Sequence, residues 1–241
     1  MRILALDTTT RDGSAALVED ERIVDVRGGD GSRSHAERLP SELIALLARH
    51  GATLRDVDVF AVASGPGMFT GLRIGIATIQ GLAFTLGRRV VAVPALDALA
   101  HAAAGALTPG RLIQAWMDAH RRDVFAAAYR VGDGAPFAPE RVTPIGPPRV
   151  GPPLEMLDHA AASEAPITFI GDGAVLYRDD ILSRLPNAEV ASLPPIAGTI
   201  GRIAAERAKR GDVIDPAAIQ PLYVRRPDAE VAREARDSAP R

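Results

Sequence analysis

The chain has 241 residues, carries 28 lysines and arginines against 30 aspartates and glutamates for a formal charge of -2, and is 47% hydrophobic. That is material for one large domain or two lobes that bury a core without staples. Cysteine is absent, which excludes disulfide frameworks, thiolate metal sites and cysteine nucleophiles, and the near-neutral charge excludes a basic field that would grip nucleic acid unaided.

From the N-terminus, residues 3–6 are a continuous apolar run ending in Asp7 and the hydroxyl cluster Thr8, Thr9 and Thr10; residues 15–18 are a second run beyond Gly13 and Ser14. Such uninterrupted runs predict strands buried on both faces. Residues 19–21 are charged and turn-like and 22–27 alternate as a third strand would, so the opening is a three-stranded meander. Its first turn gathers Asp7, Thr8, Thr9, Gly13 and Ser14, a set of carboxylate, hydroxyls and N–H groups. That set can hold a Mg-bound phosphate, and it can equally be a polar hairpin.

Ser34 and Glu37 form a capping box, with Leu39, Leu43, Leu46 and Leu47 following at helical spacing. The pattern predicts an amphipathic helix that bends at Pro40 and ends near His50 and Gly51. Residues 57–63 are another buried strand, stopped by Ser64-Gly65-Pro66-Gly67. Between 70 and 87, Leu72, Ile74, Ile76, Ile79, Leu82, Phe84 and Leu86 surround the whole helical circumference, with Gly71, Gly75 and Gly81 interspersed and Arg73 the one charge. A helix apolar all round must be covered all round. One face fits a sheet; the other is either internal as well or meets a second chain. The turn at 64–75 offers N–H groups to an anion, yet it lacks a closing Gly-Lys-Ser/Thr, the dinucleotide glycine spacing and a nucleophile elbow at Ser64. By residue chemistry alone it is a packing and turn element.

Residues 90–93 predict a strand, 96–106 an alanine-rich helix, and the Thr108-Pro109-Gly110 turn a lobe boundary, after which strands restart at 112–118 and 124–130. Residues 136–153 hold seven prolines and read as an irregular surface segment. A short helix, a strand at 167–170, a turn at Gly171-Asp172-Gly173 and a helix at 196–210 follow. The tail after 226 is charged and poor in bulky apolar residues, which predicts disorder. His35, His50, His101, His120 and His159 have no metal-ligand spacing, and the charged run from Asp118 to Asp123 reads as a turn. The lack of a targeting signal and of an apolar run of about 18 residues points to a cytoplasmic chain with no membrane span.

Asp7-Thr8-Thr9, the Ser-Gly-Pro-Gly-Met-Phe-Thr-Gly-Leu-Arg-Ile-Gly block at 64–75, the strand at 115–119 running into Asp123-Val124-Phe125, Gly171-Asp172-Gly173, and Pro221-Leu222-Tyr223-Val224-Arg225 stand in the order and spacing of the TsaB (YeaZ) family. The chain resembles that family over residues 1–226. The resemblance implies an α/β, two-lobed actin-like ATPase fold with a degenerate second lobe. Its expected divisions are 1–108 for the N-terminal lobe with 212–226 returning to it, 109–211 for the C-terminal lobe, and 227–241 for the tail.

It further implies a non-catalytic subunit of the bacterial machinery that installs threonylcarbamoyl on the adenosine beside the tRNA anticodon. The implied partners are the catalytic subunit TsaD and the ATPase TsaE, with tRNA reached only through the complex. Family members bind TsaD through two first-lobe helices. These fall at 34–50 and 70–86, which makes Leu39, Leu43, Gly71, Leu72, Arg73, Gly75, Ile76, Ile79 and Leu82 the expected interface, with Glu37, Arg38 and Glu42 as rim charges. A homodimer through the same helices is expected of the chain alone.

Where the sister subunit resembled here carries Asn-His-x-x-Gly-His, this chain has Pro94-Ala95-Leu96-Asp97-Ala98-Leu99, and alanine and leucine ligate no metal. Asp118 is followed by Ala119-His120-Arg121-Arg122 where active relatives have glycines, which crowds a second phosphate turn. No catalytic residue, metal or cofactor is therefore expected, and Asp7, Thr8, Thr9, Gly13 and Ser14 remain as a weak nucleotide site. The rival reading is a small-molecule kinase or ATPase using that turn. A peptidase lacks a visible set of nucleophile, base and orienting group.

Overall fold

The computed structural model describes residues 1–160, 165–191 and 195–225; the tail expected at 227–241 lies outside them. In chain order the elements are β1 (Arg2–Asp7), β2 (Ser14–Glu19), β3 (Arg22–Gly28), α1 (His35–Ala48), β4 (Val59–Gly65), α2 (Phe69–Leu86), β5 (Arg89–Pro94), α3 (Ala95–Ala104), β6 (Leu112–Asp118), β7 (Val124–Val131), β8 (Val142–Pro144), β9 (Arg149–Gly151), α4 (Pro153–Ala160), β10 (Ile167–Ile170), α5 (Asp172–Leu176), α6 (Arg178–Arg184), β11 (Glu189–Ala191) and α7 (Ala197–Lys209). The two sheets repeat one plan. The first runs β3-β2-β1-β4-β5 and the second β8-β7-β6-β10-β11, each an antiparallel meander joined through its third strand to two parallel strands. The sequence carries no visible repeat, so the likeness lies in topology alone.

Continuous apolar strands fill both faces of the first sheet. Leu4, Leu6, Phe60 and Val62 face α1 and α2 in one core, whereas Ile3, Ala5, Ala61 and Ala63 face inward to a second core built with α3 and α7. The inward side is lined with small residues because α7 lies close: a Cβ on Gly201 would come within 2.5 Å of Val18. The layers therefore run from α1 and α2, through the first sheet, α7, α3 and the second sheet, to α4, α5 and α6.

Three expectations change. The proline-rich segment holds two short strands, β8 and β9, both paired with β7; prolines are tolerated there because these strands lie at the sheet's edge. The turn at 171–173 opens the short helix α5. Helix α7, expected within a lobe spanning 109–211, packs on all five strands of the first sheet. An amphipathic pattern states that one face is buried but not which sheet buries it.

Candidate functional site

The first candidate site is the cleft between the lobes, about 490 Å³ and lined by Asp7, Asp12, Gly13, Ser14, Met117 and Asp172 among others. Asp7 ends β1 at 3% exposure, and its Oδ1 accepts the Thr9 N–H at 2.9 Å and the Thr9 hydroxyl at 2.6 Å. Burial pushes its carboxyl above the usual range, opposed by those Thr9 bonds and reinforced by Asp172 across the cleft. Asp172 is likewise raised by burial, although its Oδ1 accepts the Asp118 and Gly173 N–H groups.

Of the five phosphate-turn candidates, Asp7, Gly13 and Ser14 line this cleft and Thr8 and Thr9 do not. Both threonines are buried behind the turn. The Thr8 hydroxyl has no partner and lies against α2, where a Cβ on Gly75 would come within 2.0 Å of it. Thr9 is spent on Asp7, and its carbonyl accepts the Met68 N–H at 2.9 Å. Ser14 Oγ accepts the Ala197 N–H at 3.1 Å, at the start of α7. The turn thus ties β1 to α2 and α7, and only part of it faces the cleft.

Two side chains beyond the sequence-derived set brace this turn. Arg38, 2% exposed, pairs through Nη1 with Glu42 and donates from Nη2 to the Asp12 carbonyl and to His35 Nδ1. With Nδ1 accepting, His35 Nε2–H donates to the Thr10 carbonyl at 3.1 Å; burial and the nearby guanidinium hold the imidazole below its ordinary pKa. Arg38 is therefore an internal strut and not the rim charge expected. Its i,i+4 spacing to Glu42 was legible, but the Asp12 carbonyl it serves lies 26 residues away in sequence.

The second candidate is the outer face of α1 and α2. Leu39, Leu43, Leu72, Ile76 and Ile79 are at most 6% exposed and belong to the chain's own core, Leu82 is half-buried against it, and Gly71 and Gly75 back onto the β1 turn. This corrects the expected interface: side chains consumed by the first sheet are not open to a partner. Of that set Arg73 is exposed. The open stripe of α2 is Thr70, Arg73, Ala77, Gly81 and Phe84, with Phe84 at 79% exposure, and α1 adds Ile44 at 57%. The three-and-four spacing of that stripe was readable, but all-round apolarity hid which side faced out. By length and composition α2 would pass as a membrane span; here its inner face packs on β4.

A family model described as TsaD, tRNA N6-adenosine threonylcarbamoyltransferase, matches residues 29–232. The chain is 30% identical to a Bacillus subtilis protein named tRNA threonylcarbamoyladenosine biosynthesis protein TsaB, over 75% of each chain. A solved structure of YeaZ from Pseudomonas aeruginosa superimposes with a TM-score of 0.73 at 30% identity, covering 92% of this chain and 99% of that one. The chain belongs to the TsaB (YeaZ) family. An uncharacterized protein of Mycobacterium tuberculosis is 34% identical over 95% of this chain and 93% of its own length. The architecture, mixed α/β with two sheets of like topology, is that of the solved YeaZ structure.

Within this TsaB-family fold the turn after Asp118, expected as a crowded counterpart of a phosphate turn, is the tip of the β6–β7 hairpin. That tip places His120, Arg121 and Arg122 at φ of 55, 56 and 65°, left-handed backbone that costs a residue with a Cβ about 1 kcal/mol each. Asp97 on α3 accepts the Tyr129 hydroxyl at 2.7 Å, with burial raising its carboxyl. Ala95, Leu96, Ala98 and Leu99 fill the central core. Among the described residues no group of three or more histidines and carboxylates is placed to hold a metal.

Proposed function

We propose that this chain is a non-catalytic subunit in tRNA threonylcarbamoyladenosine biosynthesis that docks a TsaD-type catalytic subunit on the exposed face of α1 and α2. It stabilises that subunit's competent arrangement, and a TsaE-type ATPase and tRNA join through the complex. In the absence of the partner, two copies pair through the same face. The observation that carries this reading is the stripe Arg73, Ala77, Gly81 and Phe84, a helix face with one charge and otherwise small or apolar residues, left open by the chain's own core with a large aromatic at its end. Aromatic and arginine side chains on an open helix face are typical anchors of protein interfaces.

Ile76 and Ile79 are unsuited to test it, because a charge at either site breaks the core. Phe84→Glu and Ala77→Arg change only the outer face. Both are expected to keep the helical circular dichroism signal while abolishing co-purification with TsaD and the modified nucleoside in tRNA digests. Native co-purification and modification levels in both variants would sink the proposal.

The open cleft favours the rival kinase or ATPase reading, and the burial of Thr8 and Thr9 away from that cleft opposes it. Isothermal titration of Mg-ATP into the isolated chain separates the two: micromolar binding with turnover supports the kinase, and no heat supports the docking subunit.

A further inference from the structure

Residues 222–225 run from one lobe to the other. The Leu222 N–H donates to the Ser64 carbonyl at 2.7 Å, beside the end of β4. Next, Tyr223 stacks on Phe69 with ring centroids 5.4 Å apart, and its hydroxyl oxygen accepts from Arg73 Nε at 2.9 Å. The Arg73 guanidinium lies 4.1 Å over the Phe69 ring. Phe69 and Arg73 belong to the first turns of α2, so this end of the segment is fixed to the helix that carries the open stripe.

Arg225 reaches the second lobe. Its Nη1 donates to the Ala119 carbonyl at 2.7 Å, its Nη2 pairs with Asp123, and its guanidinium lies 5.8 Å from the Phe125 ring centre. These contacts clasp both ends of the hairpin tip whose three left-handed residues store strain, and a strained loop persists where its surroundings hold it. Beneath the segment is a cavity of about 390 Å³, lined by Met68 and Phe69 on the first-lobe side and by Asp118, His120 and Phe125 on the second. The lobes meet here across an open space that residues 222–225 bridge.

We propose that residues 222–225 are a strap that couples the spacing of the two lobes to the docking of a protein partner on α2. A partner that immobilises Arg73 and Phe69 also immobilises Tyr223, and through it the position of Arg225 and the hairpin. Coupling of this kind is reciprocal, so loosening the grip of Arg225 must weaken docking by the same factor by which docking tightens the grip. This inference rests on the docking reading above.

The test uses Arg225→Gln and Asp123→Asn, neither of which touches α2. Hydrogen exchange of residues 119–124 is measured in the full chain, and the TsaD-type subunit of the same genome is titrated calorimetrically against each variant. Both variants are expected to exchange faster at the hairpin and to bind the partner about five-fold or more weakly. The double variant should lose no more than the worse single one, because both act through one contact. If Arg225→Gln fails to fold, Asp123→Asn carries the test, since it leaves the Ala119 contact in place. Faster exchange with unchanged affinity overturns the coupling, and unchanged exchange overturns the strap itself. Undiminished affinity in Phe84→Glu and Ala77→Arg would instead refute the docking reading, which is a separate result.

Discussion

Burial decides what single residues contribute. His101 is 6% exposed, stacks on Phe137 with ring centres 6.4 Å apart, and has an unpartnered Nδ1. Burial, with Arg207 and Arg141 nearby, lowers its pKa from 6.5 to about 4. Between those values the unfolded chain binds a proton that the folded chain refuses, so stability falls as pH drops from 6.5 toward 4. At about 1.4 kcal/mol per pKa unit the loss reaches about 3 kcal/mol. The raised carboxyls of Asp7, Asp97 and Asp172 act with the opposite sign, because the folded state takes up their protons more readily. The His101 effect is therefore read by comparison: His101→Phe should be at least as stable as the native chain at pH 7 and should lose less of its urea midpoint between pH 6.5 and 5. An identical pH slope in the two proteins would contradict the assignment. Arg38→Ala leaves the Asp12 carbonyl and His35 Nδ1 without their donor and is expected to cost about 2 to 3 kcal/mol in urea denaturation. That is below the value for breaking a fully buried pair, because Glu42 is 31% exposed. The burial of these residues was not legible in the sequence, since the Asp12 carbonyl that Arg38 serves and the Phe137 ring on which His101 stacks come from distant parts of the chain.

At the scale of elements, the sequence was most informative where one periodicity left one solution. The apolar runs became β1, β2 and β4, and Glu37 Oε2 accepts both the N–H and the hydroxyl of Ser34 at the start of α1. Helix α1 runs through Pro40 without a break. Short elements escaped: β11 and α6 span three and seven residues, too few for a period to stand out, and prolines disguised β8 and β9. The sidedness of α2 escaped for the reason given above, and two glycines on opposite sides of that helix now test it. A methyl at Gly75 would meet the Thr8 hydroxyl, whereas nothing lies within 4 Å of the corresponding position at Gly81. Gly75→Ala is therefore expected to destabilise the isolated chain by about 1 to 3 kcal/mol despite the better helix propensity of alanine. Gly81→Ala should stabilise it by about 0.5 to 1 kcal/mol. Thermal denaturation of the two variants checks the pair, and equal shifts would mean that α2 is rotated from the orientation described here.

In the whole molecule, likeness of topology between the lobes coexists with an unequal division of the chain. The first sheet is complete by residue 94, yet its inward face is covered by α7, at residues 197–209. A fragment ending at 108 would leave Ala5, Val18, Ala61 and their neighbours bare. It is expected to aggregate when expressed alone, and to become soluble when residues 195–225 are supplied as a second polypeptide. Solubility of the 1–108 fragment by itself would contradict the layer order. The same arrangement sets a timetable for synthesis. While a ribosome is still making the second lobe, the first waits with half its core uncovered, and it cannot close until more than four-fifths of the described chain has emerged. The second lobe, finished earlier than the first, must fold beside an incomplete neighbour, which makes the nascent chain a candidate client for chaperones that shield apolar sheets.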